Sequence, residues 1–272
     1  VGVMATHSTK ITFQFNESYA NQSAYGIDGA GFDFDSGVTD SVMQYNYSHD
    51  NAGAGFMLAQ QDGQRAHARN VIRHNISQND GRSRGHGSIQ VWCAPGDARI
   101  SDAEIYNNTV YLTAPSAGAS AAVLIDNWAG SGLRFRNNVF QTAGGMPVVA
   151  AWTRGTDLAF QNNAYWASGQ SMLVYWQGYW LDSLPTWRTY FGQEMLNSSP
   201  TGYFVDPRFT APGTGGTIGD PDKLTTLTAY RLSAASPLLS AGLDLGGLFG
   251  IDVGERDFYG NSLSSGQWAM GA

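Results

Sequence analysis

Charge is the scarcest commodity in this chain. Asp, Glu, Lys and Arg together make up 14% of its 272 residues, where an average globular domain carries roughly 25%. Lysine is nearly absent, with only Lys10 and Lys223. Helices laced with ion pairs cannot be built from so little charge, and an α-helical bundle is excluded. The 15 basic residues face 22 acidic ones for a net charge of -7, so phosphate neutralisation cannot hold a nucleic acid here. A single cysteine, Cys93, excludes an internal disulfide scaffold while leaving export open. Apolar runs such as 121–125 and 146–152 fall far short of the approximately 20 residues of a spanning helix, so no membrane partner is expected.

Glycine, with 34 residues, and uncharged polar side chains are plentiful, which suits many tight turns between short strands. Within that background an apolar-x-x-Asn signature recurs: Phe13-Gln-Phe-Asn16, Met43-Gln-Tyr-Asn46, Ile72-Arg-His-Asn75, Ile105-Tyr-Asn-Asn108, Phe135-Arg-Asn-Asn138 and Phe160-Gln-Asn-Asn163. Successive Asn residues lie 30, 29, 33, 30 and 25 positions apart, the length of one three-sided coil. Between them fall second strand-like runs at 31–35, 55–60, 88–93, 122–126, 147–152 and 172–176. Short strands repeated at constant length bury their apolar faces only by stacking coil upon coil, so the pattern predicts an all-β parallel β-helix over 1–176. An Asn at one place in each coil can bond its equivalent in the next, forming a ladder, and tolerates the left-handed backbone of a tight corner.

The segments Gln44-Tyr-Asn-Tyr-Ser-His-Asp-Asn51, Ile72-Arg-His-Asn-Ile-Ser-Gln-Asn-Asp80, Ile105-Tyr-Asn-Asn-Thr-Val-Tyr111 and Asn137-Asn-Val-Phe140 resemble the right-handed parallel β-helix superfamily of secreted bacterial carbohydrate-active proteins, which includes pectate lyases and polygalacturonases. The resemblance implies right-handed coils, an extracellular location, a polysaccharide or oligosaccharide partner and no required cofactor. It also implies that 177–272, where the periodicity breaks, caps the last coil. One short helix is predicted there, at Ser183-Leu-Pro-Thr-Trp, with Ser183 or Asp182 as N-cap. Val1 falls inside the repeating pattern, so the first coil is expected to be covered by a segment outside this sequence or by a second chain.

Strand alternation sends Asp33 and Asp35 outward if Phe32 and Phe34 point in, and Asp126 outward if Val123 and Ile125 point in. Their Cα atoms being about 6.5–7 Å apart, Asp33 and Asp35 repel, and one pKa rises to give an acid and a base, as glycoside hydrolysis requires. The same pair with water or carbonyls also suits Ca2+, which is its alternative use. By the same alternation Gln90, Trp92, Trp152 and Trp176 join that face, the indoles serving as platforms for sugar rings, with Tyr175, Tyr179 and Trp180 nearby. A third group gathers on the turns of the early coils: His49, Asp50, Arg65, His67, Arg69 and Arg84, a candidate site for a sugar carboxylate or sulfate. Gly85-His86-Gly87 resembles the Gly-His-Gly element of polygalacturonases, which makes His86 a catalytic candidate. The companion Asn-Thr-Asp, Asp-Asp and Arg-x-Lys elements of that family are absent. The leading expectation is a glycoside hydrolase using Asp33, Asp35 and Asp126. The alternatives are a uronate lyase drawing on the Arg and His residues of 65–86, and a carbohydrate-binding or structural β-helix without catalysis.

Overall fold

The computed structural model describes residues 1–22, 28–83, 85–116, 119–263, 266 and 268–272. The chain winds into a parallel β-solenoid with three long walls. The first wall stacks Val3–Thr6, Phe32–Asp35, Phe56–Gln60, His86–Cys93, Ser120–Trp128, Val149–Thr153 and Val174–Trp176, each parallel to the next. The second runs from Thr12–Gln14 to Thr156–Gln161 and the third from Glu17–Tyr19 to Tyr203–Phe204. Phe32, Phe56, Ile89, Val123, Val149 and Val174 share one register position and all point into the common core. Stacking like on like brings Phe32 flat against Phe56 at 5.2 Å and Phe135 against Phe160 at 4.4 Å, the arrangement that lets a narrow core fill without voids.

The repeated Asn forms a ladder through the corner between the second and third walls. Each side-chain amide donates to the next Oδ1: Asn16 to Asn46 at 3.1 Å, Asn46 to Asn75 at 3.0 Å, Asn75 to Asn108 at 3.0 Å, Asn108 to Asn138 at 3.0 Å and Asn138 to Asn163 at 2.8 Å. The left-handed corner predicted for the Asn belongs instead to the residue before it: Phe15, Tyr45, His74, Asn107, Asn137 and Asn162 all have positive φ. The ladder Asn is spared that conformation and spends its amide on the neighbouring coils.

Each ladder ends on a carboxylate. Asn163 donates to buried Glu194 at 2.8 Å, and in a shorter ladder at another corner Asn21 donates to Asn51 and Asn51 to Asp80, the last at 2.8 Å. A terminal rung must accept without handing a donor onward, which a carboxylate does and an amide does not. Space is tight there: a Cβ on Gly55 would lie 2.5 Å from Asp80 Oδ2. Burial pushes the Asp80 carboxyl up to about 6 despite the hydrogen bonds from Ser77 and Asn51. Because this pKa is above the unfolded value near 3.9, the native state holds its proton longer and stability falls as pH rises through about 4 to 6, by roughly 3 kcal/mol from this group. Asp80→Asn is therefore expected to flatten the pH dependence of the urea midpoint between pH 4 and 7. An unchanged slope would remove Asp80 as its source.

Beyond Trp176 the solenoid continues for part of a coil. Tyr179–Leu181 folds back antiparallel on Val174–Trp176, and Tyr203–Phe204 adds a last strand to the third wall. The predicted helix spans Leu184–Phe191, and Ser183, not Asp182, caps it by accepting from the Thr186 N–H. Its Leu184 and Trp187 are buried against Phe160, Tyr165 and Trp176, sealing the end of the core. A second short helix, Leu245–Phe249, was not foreseen: two of its five residues are Gly, which masks the helical pattern.

The remaining C-terminal chain is more than a lid over the last coil. It runs back along the third wall and buries a second apolar cluster that includes Tyr47, Ile76, Val139, Phe209, Leu227 and Leu238. The strap is tied down at many coils: Asn137 to the Leu243 carbonyl, Tyr106 to the Asp252 carbonyl, Gln78 to the Gly215 carbonyl, and the Ile218 and Gly219 N–H groups to the Glu17 carboxylate at 2.7 and 2.6 Å. None of these ties is made to the first wall.

Candidate active site on the first wall

Register on the first wall decides which side chains meet outside. One outward column carries Met4, Asp33, Met57, Gln90, Leu124, Ala150 and Tyr175. The next carries Thr6, Asp35, Ala59, Trp92, Asp126 and Trp152. Asp33, Asp35, Gln90, Trp92, Asp126 and Trp152 thus share one exterior face, although they come from four separate coils. Two adjoining hollows lie along it. The first, of about 460 Å³, is lined by Asp28, Asp33, Asp35, Gln90, Trp92 and others. The second, of about 360 Å³, is lined by Leu124, Ala150, Trp152, Tyr175 and Trp180 among others. His86 and Asp126 line both.

Asp33 sits on the floor of the first hollow, 5% exposed, and its Oδ1 has no hydrogen-bond partner. Burial raises its pKa well above the ordinary carboxylate range, and the nearby charges of Asp35 and Asp28 raise it further. A carboxyl so placed keeps its proton where an exposed one has lost it. Asp35, two residues on, is half-buried, and its Oδ1 accepts the Ser36 hydroxyl at 2.8 Å, which holds its orientation. The His86 ring is fixed in the same hollow by its Nδ1–H donating to Gln90 Oε1 at 3.2 Å. That strand begins two coils beyond Asp33, as the ladder of Phe32, Phe56 and Ile89 shows.

Asp126 lies three strands from Asp35 in the same column. At about 4.8 Å per strand that is roughly 14 Å. It shares the groove with Asp33 and Asp35 but is too far along it to pair with them, and burial raises its pKa. A bulge follows it, with Asn127 left-handed, and turns Trp128 into the core. Trp92 is partly exposed, and Trp152 is 46% exposed and packs edge-on to Tyr175.

Trp176 is a correction to the sequence reading. It pairs with Ala151 in the inward column and is buried against Phe160 and Trp187, because it is one residue out of phase with Trp152 and Tyr175. The proposed anion site on the turns is a second correction, since its members scatter over different walls and most are already satisfied. His49 lies on the third wall between Asp50 and Glu17, at 3.0 and 3.2 Å, and although burial opposes it, these hydrogen bonds hold its pKa above normal. Asp50 also meets Arg82, and Arg69 pairs with Asp40 at 2.6 Å. Arg65 is exposed on a turn outside the groove, with its carbonyl taken by Gln60. His67 is buried, and desolvation drops its pKa to about 4, so it is a neutral core residue. Arg84 lies outside the described residues. Clustering along the chain misled here because one coil carries its residues round three walls.

Asp28, Met57, Gln61, Ala121 and Pro147 also line the groove. Outward alternation could have found Met57; the others sit on turns or strand ends, where alternation lapses. Among the described residues no three His, Cys, Asp or Glu side chains converge as a metal cluster, and no helix is long and apolar enough to cross a membrane. No protein-family model and no curated protein matches this chain.

Proposed function

We propose that the chain is a glycoside hydrolase whose substrate lies along the first wall, with Asp33 as proton donor and Asp35 as the base or nucleophile. The observation that carries this reading is the buried, unpartnered Asp33 carboxyl two residues from Asp35 on the floor of an open groove. Glycosidic cleavage needs a carboxylic acid that still holds its proton beside a second carboxylate, and an environment that drives the two apart in pKa supplies that division of labour. Trp92, two strands from Asp35 in the same column, offers a ring face to a sugar, while Gln90 and His86 present polar groups to its hydroxyls.

The lyase alternative asks for a cation at the uronate carboxylate. Among the described residues lining the groove there is no Lys or Arg, so a uronate would meet Asp28, Asp35 and Asp126 instead. Of the Arg residues first considered for that role, Arg69 and Arg82 are in ion pairs with Asp40 and Asp50, and Arg84 lies outside the described residues.

The test is a panel of neutral, amino-sugar and uronate polysaccharides with products read by mass spectrometry. Hydrolysis adds one water per bond broken and leaves saturated ends. Saturated oligosaccharides from a neutral or amino-sugar chain are expected. Unsaturated products, or a chain that binds to the groove and is never shortened, would overturn the reading.

A further inference from the structure

The groove changes character along its length. Up to His86 and Asp126 the carboxylates of Asp28, Asp33 and Asp35, the Gln61 and Gln90 amides and the His86 imidazole line it beside Met57, Ala59 and Trp92. Beyond them the floor is an apolar cluster of Ala121, Leu124 and Ala150, with Tyr175 packed against it. Trp152, Tyr175 and Trp180 form the far wall. Trp152 meets Tyr175 at 5.1 Å and 77°, and Tyr175 meets Trp180 at 4.9 Å and 62°. Rings set at such angles make a corner, whereas a pyranose stacks on a flat shelf.

Trp152 and Trp180 are 46% and 60% exposed, so this end keeps a sizeable apolar surface in water. A pyranose placed there would bury its ring of hydroxyls against methyl and aromatic groups, and each hydroxyl stripped of water without a partner is costly. The polar side chains on offer stand at the near end, and one of them, Ser120, already donates to backbone carbonyls of Gly81 and His86. An apolar group has no such penalty and gains from leaving water.

Resting on the reading of the acidic half as a sugar site, we propose that the aromatic half is a subsite for an apolar substituent, aryl or alkyl, carried by the glycan bound next to it. The two halves are continuous at His86 and Asp126, so one molecule spans both. The substrate class is then a glycan bearing a hydrophobic decoration or aglycone.

Calorimetric titration of the full chain with methyl, phenyl and octyl glycosides of several sugars tests this, with benzyl alcohol alone as a sugar-free probe. Phenyl or octyl glycosides are expected to bind at least tenfold more tightly than the methyl glycoside of the same sugar, with a negative heat-capacity change. The phenyl and octyl arms tell aryl from alkyl preference. Trp180→Ala, an exposed change, and Leu124→Asn should each shrink that advantage and leave methyl glycoside affinity unchanged; benzyl alcohol should perturb tryptophan fluorescence in the wild type and less in Trp180→Ala. Equal affinity of methyl and apolar glycosides overturns the proposal, as does an advantage that survives both variants. Should no glycoside bind, a benzyl alcohol response lost in Trp180→Ala sustains the subsite and its absence overturns it. Tight binding of phenyl glycosides with no cleavage of any substrate would sink the hydrolase reading and leave this subsite standing.

Discussion

Asp33→Asn is expected to lower kcat on the cleaved glycan by about 10²–10⁴-fold, the range for losing a positioned proton donor, while the fold survives intact. The amide is nearly isosteric with the carboxyl and cannot deliver a proton. Asp33 is buried among like charges, so its pKa stands well above the ordinary value in the folded chain. Between the ordinary carboxylate pKa and that raised value the unfolded chain has released its proton and the native chain has not, so the site's contribution to stability declines as pH rises through that window. Asn carries no charge, so the thermal midpoint of the variant should equal the wild type at low pH and match or exceed it at high pH. Wild-type activity should likewise fall on the alkaline side as Asp33 loses its proton. Kinetics and thermal melts across pH check both halves, and an Asp33→Asn enzyme with full turnover would remove Asp33 from the mechanism.

Asn108→Ala should be strongly destabilising, as should the same change at Asn75 or Asn138, which are as buried and make the same set of bonds. Asn108 Oδ1 accepts from the Asn75 N–H at 3.1 Å and the Asn75 amide at 3.0 Å, while its own amide donates to Asn138 and to the Ile72 carbonyl at 2.8 Å. Removing it strands buried donors and acceptors on both sides, at about 1–3 kcal/mol each, for a total of roughly 3–5 kcal/mol. For a chain of this size that lowers the thermal midpoint by roughly 10 °C. The same change at Asn16, in the first rung, gives up contacts to Gln14 and Asn46 in a half-exposed place and should cost under about 1 kcal/mol. Equal losses at the two positions would show that the ladder is ornament on a solenoid held by its core alone.

The strap offers a contrast in legibility. Residues such as Phe209, Leu227 and Leu238 are as apolar as any core position, yet they follow no period, so the chain alone does not reveal that they lie along the third wall. Irregular segments bury side chains one by one against a surface already formed, and their partners are hundreds of positions away, as Ile218 and Gly219 are from Glu17. Trp176 shows a subtler limit: a hairpin follows directly, and a slip of one residue exchanges inside for outside.

Sequence alone determined the solenoid, its coil length, the Asn ladder and the outward turn of Asp33, Asp35, Gln90, Trp92, Asp126 and Trp152. These follow from a two-residue alternation inside a roughly thirty-residue repeat, both of which are written in the chain and need no long-range information. Only the tertiary structure decided that the turn cations disperse over separate walls, that Asp126 stands too far from Asp35 to share its work, and that the strap packs along the third wall. Those are matters of rotation about the solenoid axis and of which coil meets which, and distance along a chain carries neither.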